Sequence, residues 1–190
     1  TGGRSDFGSG GSLTITSGFG NATSSGNVAI KSDSSGSAGS SGTVDLSTGS
    51  SYGTSGAITI ASGGSVNGTG GDVNLKVGEG TSGNGGKLNF KSGHTTDDHA
   101  AGGAIVFTAG TGKSLNGGSG GGIVFTGGEA KGTSTGNGGS LDFAGGKSRG
   151  GDGGKVIFTG GESEGGVDDN GGDIQFRGGK SAQGKGGAVI

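Results

Sequence analysis

Both histidines of the chain lie in one six-residue segment that also holds two acidic residues, His94-Thr95-Thr96-Asp97-Asp98-His99. Imidazole and carboxylate groups are suitable ligands for Zn or Cu ions. The segment occurs in one repeat only, however, and its spacing matches no known set of metal ligands. We therefore interpret it as a solvated polar loop, with a metal site as the less favoured alternative.

Other acidic residues lie in Gly-rich loops, where calcium ligands are often found. These are Asp152 and the run 168–170, but no unit matches the calcium-binding nonapeptide G-G-x-G-x-D-x-U-x. The run Gly112-Lys113-Ser114 lacks the earlier glycine and the following helix of a phosphate-binding loop. Because the chain has no Cys and no His near a consistently placed Ser, nucleophilic catalysis has no candidate. The sequence therefore predicts no catalytic, metal or cofactor-binding residues, and we expect a protein that is not an enzyme.

Two sites match the acceptor pattern for N-glycosylation, Asn21-Ala22-Thr23 and Asn67-Gly68-Thr69. Both lie in segments that we predict to be loops. At this content of Ser and Thr, chance matches are also expected. If the chain is secreted, Asn21 and Asn67 are candidates for covalent glycans.

The composition limits the classes of partner. The chain has 57 Gly among 190 residues and no Pro, Cys, Met or Trp. Its 13 basic and 15 acidic residues are nearly balanced, which does not favour a nucleic-acid partner. No apolar run approaches the roughly 18 residues of a membrane-spanning helix, so we expect no membrane insertion. The sequence starts without Met and ends inside a repeat, and we expect a segment of a longer chain.

A short unit, approximately G-G-x-[VIL]-x-[FIL]-x-[GST]-G, recurs along the whole sequence and is clearest at 153–161. The first apolar residues of successive units are 14 to 18 residues apart, which is typical of a stacked repeat architecture. They are Leu13, Val28, Val44, Ile58, Val73, Leu88, Ile105, Ile123, Leu141, Val156, Ile174 and Val189.

The spacing predicts an all-β fold, because apolar residues two apart share one face of a strand and no helical periodicity is present. We expect a Gly-rich β-solenoid of about twelve stacked coils, 14–18 residues each. Small residues such as Ser148 and Ser181 would then point inward on the return side. An antiparallel β-meander or sandwich of the same strands is the alternative. Residues 1–190 are expected to form one repeat array, with Ser/Thr-rich units in 1–80 and Gly-pair units in 81–190.

The second apolar position changes along the chain. It is Ile or Leu in the first five units and Phe in every complete unit thereafter. Stacked units would place these rings in a core ladder, in offset contact. The six residues are Phe90, Phe107, Phe125, Phe143, Phe158 and Phe176.

The residue between the two apolar positions is expected to face outward, and in the later units it is often aliphatic. One interpretation is an exposed strand with high β-propensity. The other is a self-association face that packs against a second chain. Its residues would be Val106, Val124, Ile157 and Ile190.

The units S-G-x-[VIL]-x-[IL]-x-[ST]-G, which pass into G-G-x-[VIL]-x-F-x-G-G, resemble the Gly/Ser/Thr-rich short-repeat regions of secreted fibrous and adhesin-like proteins. The resemblance covers nearly the whole chain. It implies an extracellular or cell-surface location and a filament-like, often glycosylated structural role. We therefore expect a structural subunit of an extracellular fibre or surface appendage, a stiff β-rod that self-associates. The alternative is an adhesin stalk or a glycan- or ice-binding module.

Overall fold

The computed structural model describes residues 1–114, 116–132 and 136–190, and within these ranges it contains neither helix nor strand. The chain divides into two units, Thr1–Leu88 (unit 1) and Asn89–Ile190 (unit 2). The sequence predicts one repeat array whose composition changes after residue 80. In both units, short segments that carry the apolar residues alternate with Gly-rich loops.

Most loops are closed at the base by a neck, which we define as two residues that lead into the loop and the two residues opposite them that lead out. In one neck, Gly145 lies opposite Gly154, and Gly146 lies opposite Gly153. The N–H of Gly154 donates a hydrogen bond of 2.8 Å to the carbonyl oxygen of Gly146. Because the pairs run in opposite order, the chain reverses direction at the neck.

Among the described residues, the same backbone hydrogen bond, 2.8–2.9 Å long, closes eight loops, two in unit 1 and six in unit 2. The donor follows the acceptor by 8 to 11 residues. Unit 2 therefore has a closed loop between every two successive apolar segments. The donor and acceptor pairs are Gly11 and Gly3, Gly26 and Gly18, Gly103 and Gly93, Gly121 and Gly110, Gly139 and Gly128, Gly154 and Gly146, Gly172 and Gly161, and Gly187 and Gly179.

Five of the necks require glycine for a steric reason. In five necks the first incoming residue and the residue opposite it are both Gly. Gly160 and Gly172 form one such pair, and a β-carbon on Gly160 would overlap the carbonyl oxygen of Gly172. In other necks the incoming residue has a side chain, and only its partner is Gly. A β-carbon on Gly103, for example, would lie 3.4 Å from the Cβ of Ser92. A separation of 3.4 Å is still van der Waals contact, so only the five necks with two glycines exclude a side chain at the first incoming position.

The six Phe residues of unit 2, here called the Phe row, contact one another in sequence order. The ring centroids of consecutive members are 5.9–6.5 Å apart, and the ring planes are nearly perpendicular, at 78–88°. This edge-to-face geometry places the positive ring edge against the negative ring face. The side chains are 51–64% exposed, so the Phe row is a surface feature rather than the expected ladder inside a core.

The prediction of an all-β solenoid is wrong. A solenoid stacks coils whose strands run in the same direction, whereas the necks reverse the chain between one apolar segment and the next. In the described residues, backbone hydrogen bonds occur at the necks and inside two loops only. Without a continuous ladder of such bonds, the apolar segments do not form strands. The residues Ser148 and Ser181 lie in exposed loops, not on an inward return side.

The alternative of an antiparallel meander or sandwich is also wrong, although chain reversal is present. No strand occurs in the described ranges, and a sandwich needs a core between two layers. None of the described residues is buried. The chain therefore leaves its apolar side chains without a layer that covers them.

Candidate self-association surface

Exposure alternates along the apolar segments of unit 2. In one segment the side chains of Ile105 and Phe107 are 48% and 55% exposed, whereas Val106 between them is 76% exposed. The segments 123–125 and 156–158 show the same alternation. Alternate residues of an extended chain point to opposite sides, so each segment has two distinct faces.

We call the less exposed side the Phe face. It comprises the Phe row, the first apolar residue of each segment in unit 2, and the neck residues at alternate positions on either side. For three consecutive segments these are Ile123, Phe125 and Gly127, then Leu141, Phe143 and Gly145, then Val156, Phe158 and Gly160. None of these positions carries a charge, so covering the Phe face desolvates no ionised group.

The opposite side, here called the outer face, mixes aliphatic and charged residues. Its predicted self-association residues Val106, Val124 and Ile157 are 75–85% exposed, and Ile190 is fully exposed. The same alternation assigns Asp142, Lys155, Asp173 and Arg177 to this face. Asp142 separates Val124 from Ile157 in the order of the segments, whereas Val106 and Val124 belong to consecutive segments. The role of these residues in self-association stays a prediction.

Unit 1 has apolar segments but no aromatic row. Its ten paired aliphatic residues, from Leu13 to Leu75, are 48–74% exposed. In these segments, Ile or Leu stands at the position that Phe takes in unit 2. The lower exposure of the segments in unit 2 thus accompanies the contacts between Phe rings.

The segment with both histidines forms a loop stabilised by its own polar groups. The carboxylate Oδ1 of Asp97 accepts a 3.0 Å hydrogen bond from the N–H of His99, and the Thr95 hydroxyl accepts one of 3.1 Å from the N–H of Asp97. Within the described ranges, no three His, Asp or Glu residues are grouped so that they could hold a metal ion. In this loop the acid acts as a turn acceptor.

The acidic loop near the C-terminal end has a similar arrangement. Oδ2 of Asp169 accepts a 2.9 Å hydrogen bond from the N–H of Gly166, whose carbonyl oxygen accepts a 3.1 Å bond from the N–H of Asp169. The Ser163 hydroxyl accepts a third bond from the N–H of Gly165. The carboxylate therefore fixes the loop conformation.

Both candidate glycosylation sites are exposed at bends. Asn21 lies in the loop closed by Gly18 and Gly26, and Asn67 lies in the loop between the neck residues Gly63 and Gly70. Exposure at a loop tip is what enzymatic attachment of a glycan requires. The geometry is therefore compatible with modification at either site.

One recurring hydrogen bond within the loops was not predicted from the sequence. In three nine-residue loops the hydroxyl of a Ser accepts a hydrogen bond of 2.8–3.0 Å from the N–H of a Gly three residues later. The donors and acceptors are Gly8 and Ser5, Gly151 and Ser148, and Gly184 and Ser181. The pattern G-x-S-x-x-G-x-G-G marks these loops in the sequence and could have revealed them. It also occurs at 63–71.

A shallow depression beside Tyr52 is lined by Ser50, Ser51 and Tyr52. All three residues are exposed, and no charged group lies among them. In the described part of the chain, no helix is long and apolar enough to cross a membrane. Comparison with protein-family models, with curated proteins and with solved structures finds no match to this chain.

Proposed function

We propose that the chain is a structural component of an extracellular fibre or surface appendage and that it acts by self-association. One observation supports this most strongly: the described residues form repeated apolar segments, yet none of them is buried. Contiguous exposed apolar surface is typical of protein–protein contact sites. A repeated surface of this kind suits contact with many identical chains.

The polar groups support a structural role over a chemical one. The acids and hydroxyls in the loops bind nearby backbone N–H groups, as Asp97, Ser148 and Asp169 do. Such groups shape loops. The near balance of 13 basic and 15 acidic residues favours a protein partner over a nucleic acid.

We place the protein outside the cell or at its surface. Support comes from the exposed sequons at Asn21 and Asn67, from the Ser/Thr-rich loops and from the resemblance to the short-repeat regions of secreted proteins. Covalent glycans are then the expected modification. Chains with no disulfides and no core would depend on association for their mechanical strength.

Sedimentation velocity over a wide concentration range, with electron microscopy of the same samples, tests the proposal. We expect the sedimentation coefficient to rise with concentration and elongated assemblies to appear. Monomers at every concentration would contradict self-association. In that case, binding of the monomer to a glycan array or to ice would support an adhesin or binding module instead.

A further inference from the structure

The Phe face of unit 2 has too much exposed aromatic surface for an isolated chain. Each member of the Phe row is more than half exposed, although Phe is among the residues most often buried in folded proteins. The first apolar residues of the same segments, from Ile105 to Val189, are 47–61% exposed. The face is also continuous, because each ring contacts the next.

The exposed area is sufficient for a specific interface. A Phe side chain can bury roughly 150–250 Å², so six rings that are about half exposed offer roughly 600 Å². A standard interface buries about 800 Å² on each partner. The aliphatic residues beside the rings supply the remainder. No charge is present on the Phe face, so contact with a partner would leave no ion unpaired.

The repeat distance of the Phe row restricts which partner fits. Its rings recur every 5.9–6.5 Å over six positions. A partner that engages the whole row must present apolar groups at the same interval. A second copy of the chain meets this condition, and a two-fold axis would make the two identical faces complementary.

From this geometry we propose that the Phe face is the primary self-association interface and pairs with the Phe face of a second copy. The inference rests on the proposed structural function and assigns the first contact to this face. The outer face, with its charges at Asp142, Lys155 and Asp173, contributes less to the first contact. Pairs formed through the Phe face would still expose Val106, Val124 and Ile157 for contacts between pairs.

Two adjacent residues provide a matched pair of variants. Phe125→Lys places a charge on the Phe face, and Val124→Lys places the same charge one residue away on the outer face. In sedimentation equilibrium at concentrations where the unmodified chain is dimeric, we expect Phe125→Lys to weaken dimerisation at least tenfold and Val124→Lys to change it less than twofold. Equal effects of the two variants, or a larger effect of Val124→Lys, would overturn the assignment.

A second measurement avoids changing the Phe row. Since the chain has no Cys, one nitroxide label can be attached at Ala109→Cys on the Phe face or at Thr108→Cys on the outer face. On dimerisation we expect the label at residue 109 to lose access to dissolved oxygen relaxation agent. Unchanged access there in a proven dimer would overturn the inference and leave the proposed function standing. If the unmodified chain never associates, or remains monomeric and binds phosphatidylcholine vesicles instead, both proposals fail.

Discussion

The side chain of Val77 occupies the space that a β-carbon on Gly86 would need. Cγ1 of Val77 lies 2.7 Å from that position, closer than real Cβ atoms approach their neighbours. These residues lie opposite each other in a neck of unit 1. The neighbouring Gly85 has nothing within 4 Å of its own Cβ position. Two consecutive glycines therefore have opposite steric environments.

The Gly86→Ala variant tests this packing. We expect it to destabilise unit 1 by about 0.5–1.5 kcal/mol, the cost of turning the exposed Val77 side chain away from its preferred rotamer. Gly85→Ala is the control and should have little effect. The second change Val77→Ala should restore much of the stability of Gly86→Ala, because it removes the clashing methyl group. Urea unfolding of all four proteins at monomeric concentration measures these differences, and no rescue by Val77→Ala would contradict the packing.

The necks with two glycines should tolerate no side chain at the first position. In Gly160→Ala, the new methyl group would overlap the carbonyl oxygen of Gly172, so the neck must open. The N–H of Gly172 then loses its 2.8 Å hydrogen bond to Gly161. We expect its amide hydrogen exchange to accelerate about tenfold, which corresponds to about 1.4 kcal/mol and lies within the usual net contribution of one such bond.

Gly161→Ala is the matched control for this neck, because nothing lies within 4 Å of its Cβ position. The exchange rate of Gly172 should stay close to that of the unmodified chain. Equal acceleration in both variants would show that glycine is needed there for backbone freedom and not for close approach.

Each loop hydroxyl should make a small but measurable contribution to the stability of its loop. Ser148→Ala removes the acceptor of the 3.0 Å hydrogen bond from the Gly151 N–H. Because the loop is exposed, water can replace the hydroxyl, and we expect a loss of about 0.5 kcal/mol, at the low end for a hydrogen bond. Hydrogen exchange at Gly151 measures the change. Ser148→Thr keeps the hydroxyl and should preserve the slow exchange.

The position of a ring within the Phe row should determine how much that ring contributes to the stability of unit 2. Among the described rings, Phe125 contacts those of Phe107 and Phe143, whereas Phe176 contacts that of Phe158 alone. Each aromatic pair contributes about 0.5–1.5 kcal/mol beyond the buried area. Leucine keeps most of the apolar surface, so Phe125→Leu should destabilise unit 2 about twice as much as Phe176→Leu. Thermal unfolding compares the two, and identical losses would argue against independent ring contacts.

Glycosylation can be examined in a eukaryotic secretory expression system. We expect Asn21 and Asn67 each to carry a glycan, because both lie in exposed bends. Asn21→Gln and Asn67→Gln should each remove one step of the mass shift seen on gel electrophoresis. The double variant should migrate like the enzymatically deglycosylated chain. A single-step shift in the unmodified chain would show that only one site is used.

Some of this architecture can be obtained from the sequence. The order of the six Phe residues and the alternation around Val106, Val124 and Ile157 follow from simple spacing. The direction of successive apolar segments does not follow from this spacing. A constant spacing of apolar residues is the same for parallel coils and for segments that reverse at each loop, and reversal depends on the glycine necks.

The packing of the Phe rings could not be predicted from the spacing either. The spacing predicts an offset ladder of Phe residues within a core, because solenoid coils would provide a second wall. Phe107 and Phe125 instead meet edge to face on an open surface. The repeat spacing predicts Ser148 on a return side, whereas its hydroxyl accepts a hydrogen bond inside the loop that Gly146 and Gly154 close.

Because of the necks, the distance between consecutive Phe rings does not depend on the length of the loop between them. The loops before Phe125 and before Phe158 differ by three residues between their hydrogen-bonded glycines, 11 against 8, yet both rings lie 5.9 Å from the preceding ring. A loop can therefore be exchanged for a longer or chemically different one without disturbing the periodic surface. In evolutionary terms, the loops are free to diversify as display segments on a constant frame, and an engineer could insert a peptide tag there once per repeat.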